Sequence, residues 1–212
     1  MNASESIEMM MRGNGWHGFI AGCDEVGRGP LAGPATVACV VFPNHLDASC
    51  ELFSRLDDSK KLTAKKREAL VDEIHATAAA YAVIDMSPAE IDEFNILQAC
   101  LLGMKKAVEA VSKKIEGFNR ETAHVIVDGN KLIPNFEWPQ TAYVKGDARS
   151  WSIAAASILA KVHRDALMVE YDAQYPGYGF AKNVGYPTAL HRKAVLELGP
   201  TPIHRRTFKV KG

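Results

Sequence analysis

The chain has 212 residues, 47% hydrophobic and 24% charged, with 25 basic and 25 acidic side chains and a formal net charge of zero. That suits one globular domain with a sizeable core and argues against a generic nucleic-acid coat. The sequence shows no apolar run of membrane-spanning length and no signal-peptide core, which implies a cytoplasmic protein without membrane contact.

In chain order, residues 1–16 are polar and methionine-rich and read as a flexible, frayed leader. Residues 17–24 read as a buried strand that runs into Asp24 and Glu25, and residues 35–42, rich in β-branched side chains, as a second strand. The short Gly-Pro-rich link between them predicts an antiparallel hairpin. Residues 46–60 read as loop with a turn or two. Thr63 is placed to cap a helix reaching about Ala79, with Leu70, Val71, Ile74 and Ala78 on one face. Tyr81–Met86 is a third strand. Ser87-Pro88-Ala89-Glu90 predicts a capping box opening one long helix through Ile91, Phe94, Leu97, Leu101, Met104 and Val108. His124–Asp128 and Thr141–Lys145 are short strands followed by turn signals. Ser150 caps an alanine-rich helix through Lys161 toward Tyr171. Pro187 or Thr188 opens a last helix that Gly199-Pro200 stops. The pattern predicts a mixed α/β sheet flanked by helices, with a catalytic core over 17–172 and a helical, basic C-terminal part over 173–212 packed on it.

Cys23, Cys39, Cys50 and Cys100 form no C-x-x-C pair, which favours reduced, mostly buried thiols over zinc or disulfides. Three strands end in or near carboxylates: Asp24 with Glu25, Asp128, and Asp147. Each alone reads as readily as a turn or capping residue. Together, at ligand-binding strand ends, they predict one acidic cleft that needs cations. Oxygen donors of this kind point to Mg²⁺ or Mn²⁺ rather than Zn²⁺. Gly27 and Gly29 lack a Cβ, so backbone there can approach a ligand closely, with Arg28 beside a phosphate.

The run Asp24-Glu25-Val26-Gly27-Arg28-Gly29-Pro30-Leu31-Ala32-Gly33-Pro34 resembles the signature of the ribonuclease HII family. So do Asp57-Asp58-Ser59-Lys60-Lys61-Leu62, Val127-Asp128-Gly129-Asn130, Lys145-Gly146-Asp147, the segment Ile153–Val162 with Arg164-Asp165, and Tyr178-Gly179-Phe180 with Gly185-Tyr186-Pro187-Thr188. The resemblance covers about residues 17–208. It implies a ribonuclease H-like fold and an endoribonuclease that cleaves the RNA strand of RNA–DNA hybrids. It further implies nicking 5′ of single ribonucleotides embedded in duplex DNA, which belongs to ribonucleotide excision repair and DNA replication. By position, Asp24, Glu25, Asp128 and Asp147 would be the catalytic, metal-binding carboxylates. Gly27, Arg28 and Gly29 would contact the ribose 2′-hydroxyl, and Tyr186 would stack on the deoxyribose beside it. Two-metal hydrolysis would leave 3′-OH and 5′-phosphate ends.

Other residues carry plainer readings. Lys60 and Lys61 read either as phosphate contacts or as a solvated loop. Lys161, Arg164 and Asp165 read as ion pairs or caps or as substrate contacts, Trp138 and Trp151 as core or loop packing, and His163 and His191 as structural. From Lys182 onward, Lys182, Arg192, Lys193, Arg205, Arg206, Lys209 and Lys211 face Glu197 alone, which reads either as a solvated face or as a phosphate track. With 23 residues before Asp24, the chain leaves no room for the separate N-terminal domain of the related ribonuclease HIII family. A non-catalytic duplex-binding module would have lost an acid, and a phosphatase would not explain the glycine–arginine motif. The final Thr207–Gly212 lacks the aromatic pair of a sliding-clamp peptide, and the chain reads as a monomer.

Overall fold

Two apolar, β-branched stretches open the sheet. β1 (Phe19–Val26) and β2 (Ala35–Val41) pair antiparallel, with Asp24 opposite Ala38. The structure, a computed structural model, describes residues 5–209. It continues the hairpin into a five-stranded sheet of order β3-β2-β1-β4-β5. β3 (Ala80–Met86) is antiparallel to β2, β4 (Ala123–Asp128) parallel to β1, and β5 (Gln140–Tyr143) parallel to β4. β1 runs on to Val26 instead of stopping at Asp24, so both acids sit within the ladder.

Strand alternation sends odd and even residues of β1 to opposite layers. Ala21 and Cys23 join Val37, Cys39, Val125 and Val127 under α5 (Ile96–Ser112), which buries Leu101, Met104, Val108 and Val111 on that face. On the other face, α6 (Trp151–Gln174) packs with α2 (Glu51–Arg55) and α3 (Ala64–Thr77) over Ala38 and Val40. α6 lies almost on the strand backbone. A Cβ at Gly22 would stand 2.4 Å from the Ser152 carbonyl carbon, so only glycine admits the helix at that depth. Thr63, Ser87, Ser150 and Thr188 cap their helices as the sequence predicts.

Two expectations change. The long helix expected after Ser87 is two helices, α4 (Pro88–Phe94) and α5. Asn95 between them has φ 62°, outside helical space, and its side chain accepts from Leu97 N and Gln98 N to cap α5. The expected frayed leader contains α1 (Ile7–Gly13), which is docked: Ile7 joins Ile20, Ile126 and Ile153. Glu8 accepts from Trp151 N, Ser152 N and both the Ser150 and Ser152 hydroxyls. A carboxylate from one helix thus satisfies the amides opening another. Residues 1–4 of that leader lie outside the described residues, as do residues 210–212 with Lys211 and the end of the presumed clamp-free tail.

The C-terminal part adds α7 (Phe180–Asn183) and α8 (Ala189–Leu198). Phe180, Ala194 and Ile203 pack with Ala32 and Met168, tying this part to the loop after β1. Among the described residues the cysteines are free thiols, and no helix is long and apolar enough to cross a membrane.

Candidate active site

Register brings the carboxylates together. Cys23 pairs with Val127 in the parallel β1–β4 ladder, so Asp24 and Asp128 follow on adjacent strands. Asp24 turns toward α6, where Ser157 lies close enough to favour its charged form, and its Oδ1 accepts from Glu25 N at 2.7 Å. Glu25 takes the α5 side and accepts from Arg28 Nη1 at 3.2 Å. Asp128 Oδ1 accepts from Gly146 N at 2.7 Å. That bond draws the 3-10 turn Gly146–Ala148, which carries Asp147, against the end of β4. Lys145 enters the turn with φ 58°. A small cleft of about 140 Å³ opens here, lined by Glu25, Arg28, Leu97, Cys100, Asp128 and Asn130.

Asp24 and Asp147 are buried, 5% and 9% exposed. Burial pushes the Asp24 carboxyl well up, and the charges of Glu25 and Asp128 push it further against the pull of Ser157. Burial also raises Glu25, with Asp128 adding, while Arg28 and Lys60 pull it down. Asp147 is raised by burial, then by Asp128 and Asp58, and lowered by Lys60. Asp128 therefore acts on the other three acids, and Lys60 on two of them. As placed, no three of the described His, Cys, Asp and Glu residues stand in ligating geometry; Glu25 accepts from Arg28 and Asp128 from Gly146 N. The donor set nonetheless fits a divalent cation. Its side-chain donors are hard oxygens, and the mutual repulsion that adds to burial in raising three of the acids is what a bound cation would relieve.

Beside the acids, residues 27–34 form the loop from β1 to β2. Gly27 has φ 91°, and a Cβ there would meet Arg164 Nε at 2.4 Å. Gly29 faces Tyr186, whose ring Cε1 would lie 3.3 Å from an added Cβ. Tyr186 is 44% exposed, and Arg28 and Gly29 are exposed while Gly27 is buried, so Arg28, Gly29 and this ring form one accessible surface. Lys60 and Lys61 sit on the loop before α3. Lys61 pairs with Asp57 at 3.0 Å, and both Lys60 and Lys61 feel the charge of Asp147.

Sequence reasoning left two arginines open, and the structure buries both. Arg164 is fully buried and donates to Pro34 O, Val184 O and Ala32 O, so it is not a substrate contact. Lys161 and Asp165 form an ion pair at 2.7 Å. Arg205, 2% exposed, is not part of a phosphate track; it donates to the carbonyls of Gly27, Arg28, Gly33 and Pro34. Burial and the Arg164 charge lower its pKa to about 9. Ser157 and Asp58 act on the acids although neither was singled out; both lie inside the motifs that carry the family resemblance. Trp151 is buried and stacked on Phe53 at 4.0 Å, and Trp138 packs on Phe118, so both are packing residues. His163 bonds Asp85 at 2.7 Å, away from the acids.

A sequence model of the family described as Ribonuclease HII matches residues 21–211. A ribonuclease HII of Chlorobium chlorochromatii is 48% identical over 193 residues, covering 91% of this chain and 90% of that protein. A ribonuclease HII of Paracoccus denitrificans is 52% identical over 190 residues, covering 90% of this chain and 84% of that protein. Among solved structures, the ribonuclease H2 of Pyrococcus horikoshii superposes with a TM-score of 0.68 at 26% identity, over 91% of this chain and 94% of that one.

Proposed function

The chain belongs to the ribonuclease HII family, a metal-dependent endoribonuclease family acting on RNA–DNA hybrids, and on that premise we propose that it also nicks duplex DNA 5′ of single embedded ribonucleotides. One observation carries this reading: Arg28, which lines the acidic cleft and pairs with Glu25, is followed by Gly29, which faces the exposed Tyr186 ring. A nuclease for hybrids in general needs only the acids and a phosphate track. A reader for one 2′-hydroxyl needs close backbone next to the scissile bond, because that hydroxyl is both donor and acceptor.

Asp24, Glu25, Asp128 and Asp147 would hold two Mg²⁺ or Mn²⁺ ions. When bound, such ions supply an activated water and neutralise charge on the departing 3′-oxygen. The chain's own residues do the rest. Asp24, central in the cluster and buried, would bridge the ligand set, and Ser157 fixes its carboxylate from α6. Gly27–Gly29 place the ribose, and Tyr186 stacks on the sugar that follows. Lys60 neutralises charge between Glu25 and Asp147 and approaches the backbone phosphates. The leaving oxygen departs as a hydroxyl, so the ends are 3′-OH and 5′-phosphate.

The test is nicking of a duplex with one ribonucleotide by chelator-stripped protein, with Mg²⁺ or Mn²⁺ restored and an all-DNA duplex as control. Metal-dependent cleavage of the ribonucleotide strand alone supports the reading. Equal cleavage of both duplexes, or of neither, removes it.

A further inference from the structure

Arg205 occupies an unusual position for a basic residue near a chain end. Its guanidinium lies behind the 27–34 loop and uses each of its nitrogens on backbone carbonyls. Nη2 donates to Gly27 O at 2.6 Å, Gly33 O at 2.9 Å and Pro34 O at 3.1 Å. Nη1 donates to Arg28 O at 3.1 Å and Nε to Gly33 O at 3.0 Å. No carboxylate forms an ion pair with it among the described residues. Its own backbone N donates to Leu31 O, and Gly33 N donates to Ile203 O, so strand-like bonds hold the segment in place.

The geometry has a consequence on the opposite side of the loop. In a trans peptide the C=O and the following N–H point in opposite directions. No peptide bond in the described chain is cis. With Gly27 O and Arg28 O turned inward to Arg205, the N–H groups of Arg28 and Gly29 turn away from it, and both residues are exposed, with Gly29 facing Tyr186. Neither N–H meets a protein acceptor among the described residues. From this we infer that Arg205 is a positioning residue for substrate specificity. It fixes two outward amides of the Gly27-Arg28-Gly29 backbone at the height of the ribose, without itself touching nucleic acid. This rests on the proposed reading of that backbone as the ribose contact.

Lysine cannot reproduce the role. An ammonium is a compact point charge and lacks the planar fork that spans both ends of the loop. The test compares wild type with Arg205→Lys, Arg205→Met and, as a destabilised control in the α3–α6 contact, Ile74→Val. The substrates are a duplex with one ribonucleotide and a duplex with a short ribonucleotide tract flanked by DNA. In both Arg205 variants, turnover at the lone ribonucleotide should fall about 100-fold, the scale expected when a reacting group is displaced by about 1 Å. Cleavage in the tract should spread from one phosphodiester to its neighbours. Mn²⁺ affinity by calorimetry should hold, and Ile74→Val should cut at the wild-type position. A lower active fraction alone cannot move the cleavage position.

A single unmoved cleavage position in both Arg205 variants, with losses that track their melting temperatures, overturns the inference. A second measurement needs no variant. In wild type with Ca²⁺ in place of the catalytic ion, the Arg28 and Gly29 amide resonances should shift with the ribonucleotide duplex and not with all-DNA; unmoved amides also overturn it. Failure of the underlying reading looks different: wild type would then show no preferred cleavage position at all, and Tyr186→Ala would change nothing.

Discussion

At the scale of single residues, the carboxylates work against the fold. Asp24 is buried beside two like charges, and its carboxyl is driven well up in consequence. Asp24→Asn keeps the shape and removes one anion. In metal-free buffer its melting temperature should match or exceed wild type by a few degrees, read by differential scanning calorimetry. Its Mg²⁺-supported turnover should fall about 1,000-fold, the scale of several kcal/mol of lost charge stabilisation. Near-wild-type turnover would remove Asp24 from the site. Tyr186→Ala should weaken cleavage at a lone ribonucleotide about tenfold or more and leave Mn²⁺ affinity unchanged, because a stacking ring is worth about 1–3 kcal/mol and ligates nothing. A drop in metal affinity with junction preference intact would refute that role. The acids were readable in the sequence from their places at strand ends, and Tyr186 only through the family resemblance. Arg205 was not. A guanidinium among basic residues reads as a solvated face or a phosphate contact, and only the tertiary fold reveals that its acceptors are carbonyls from residues 27–34.

At the scale of elements, local signals and distant partners divide the outcome. Thr63, Ser87 and Ser150 announce their helices because capping is a contact within one turn. The break at Asn95 escaped because the apolar period runs through it unbroken; what divides the helix is one residue at positive φ. Asn95→Ala should cost about 1–2 kcal/mol by chemical denaturation, since it loses the cap and strains the backbone, and Asn95→Gly should cost less. α1 escaped because its anchor lies in another element. Glu8→Ala leaves the amides opening α6 and two buried hydroxyls short of an acceptor, and should cost about 2–3 kcal/mol on the same measurement. A third device joins the C-terminal segment to Tyr186. Thr201 N–H donates to His204 Nδ1 at 2.9 Å, which leaves the proton of neutral His204 on Nε2, facing His191 Nε2 at 3.1 Å. His191 then carries its proton on Nδ1 and donates to Tyr186 O at 2.9 Å. Burial lowers both histidines, His204 to about 4 with the help of His191. The unfolded chain therefore takes up a proton at His204 near pH 6.5 that the fold refuses until about pH 4, and burial holds His191 below its ordinary value as well. Stability from this pair is complete above about pH 6.5 and declines as pH falls toward 4. Melting temperatures across that range should fall more steeply for wild type than for His204→Gln; parallel curves would contradict the neutral pair.

At the scale of the whole molecule, a chain of zero formal net charge has to bind a polyanion through local features. The sheet order β3-β2-β1-β4-β5 achieves this by setting β1 and β4 side by side and parallel, which gathers acids far apart in sequence at one end of the sheet. Pairing of that kind is non-local, so strands were readable from composition while their order was not. The C-terminal part then folds back so that Tyr186 meets Gly29 and Arg205 meets Gly27. In the proposed reading, Asp24 and Glu25 at the end of β1 lead straight into the ribose-reading backbone that follows, so chemistry and selection would be set by one short stretch of chain. The most direct test of that claim is end-mapping on a duplex carrying one ribonucleotide, cleaved under Mg²⁺ and Mn²⁺. The account predicts one nick, immediately 5′ of the ribonucleotide, with 3′-OH and 5′-phosphate termini and an intact all-DNA control. A cut on the 3′ side of the ribonucleotide leaving a cyclic phosphate, or nicks scattered along the DNA, would contradict it.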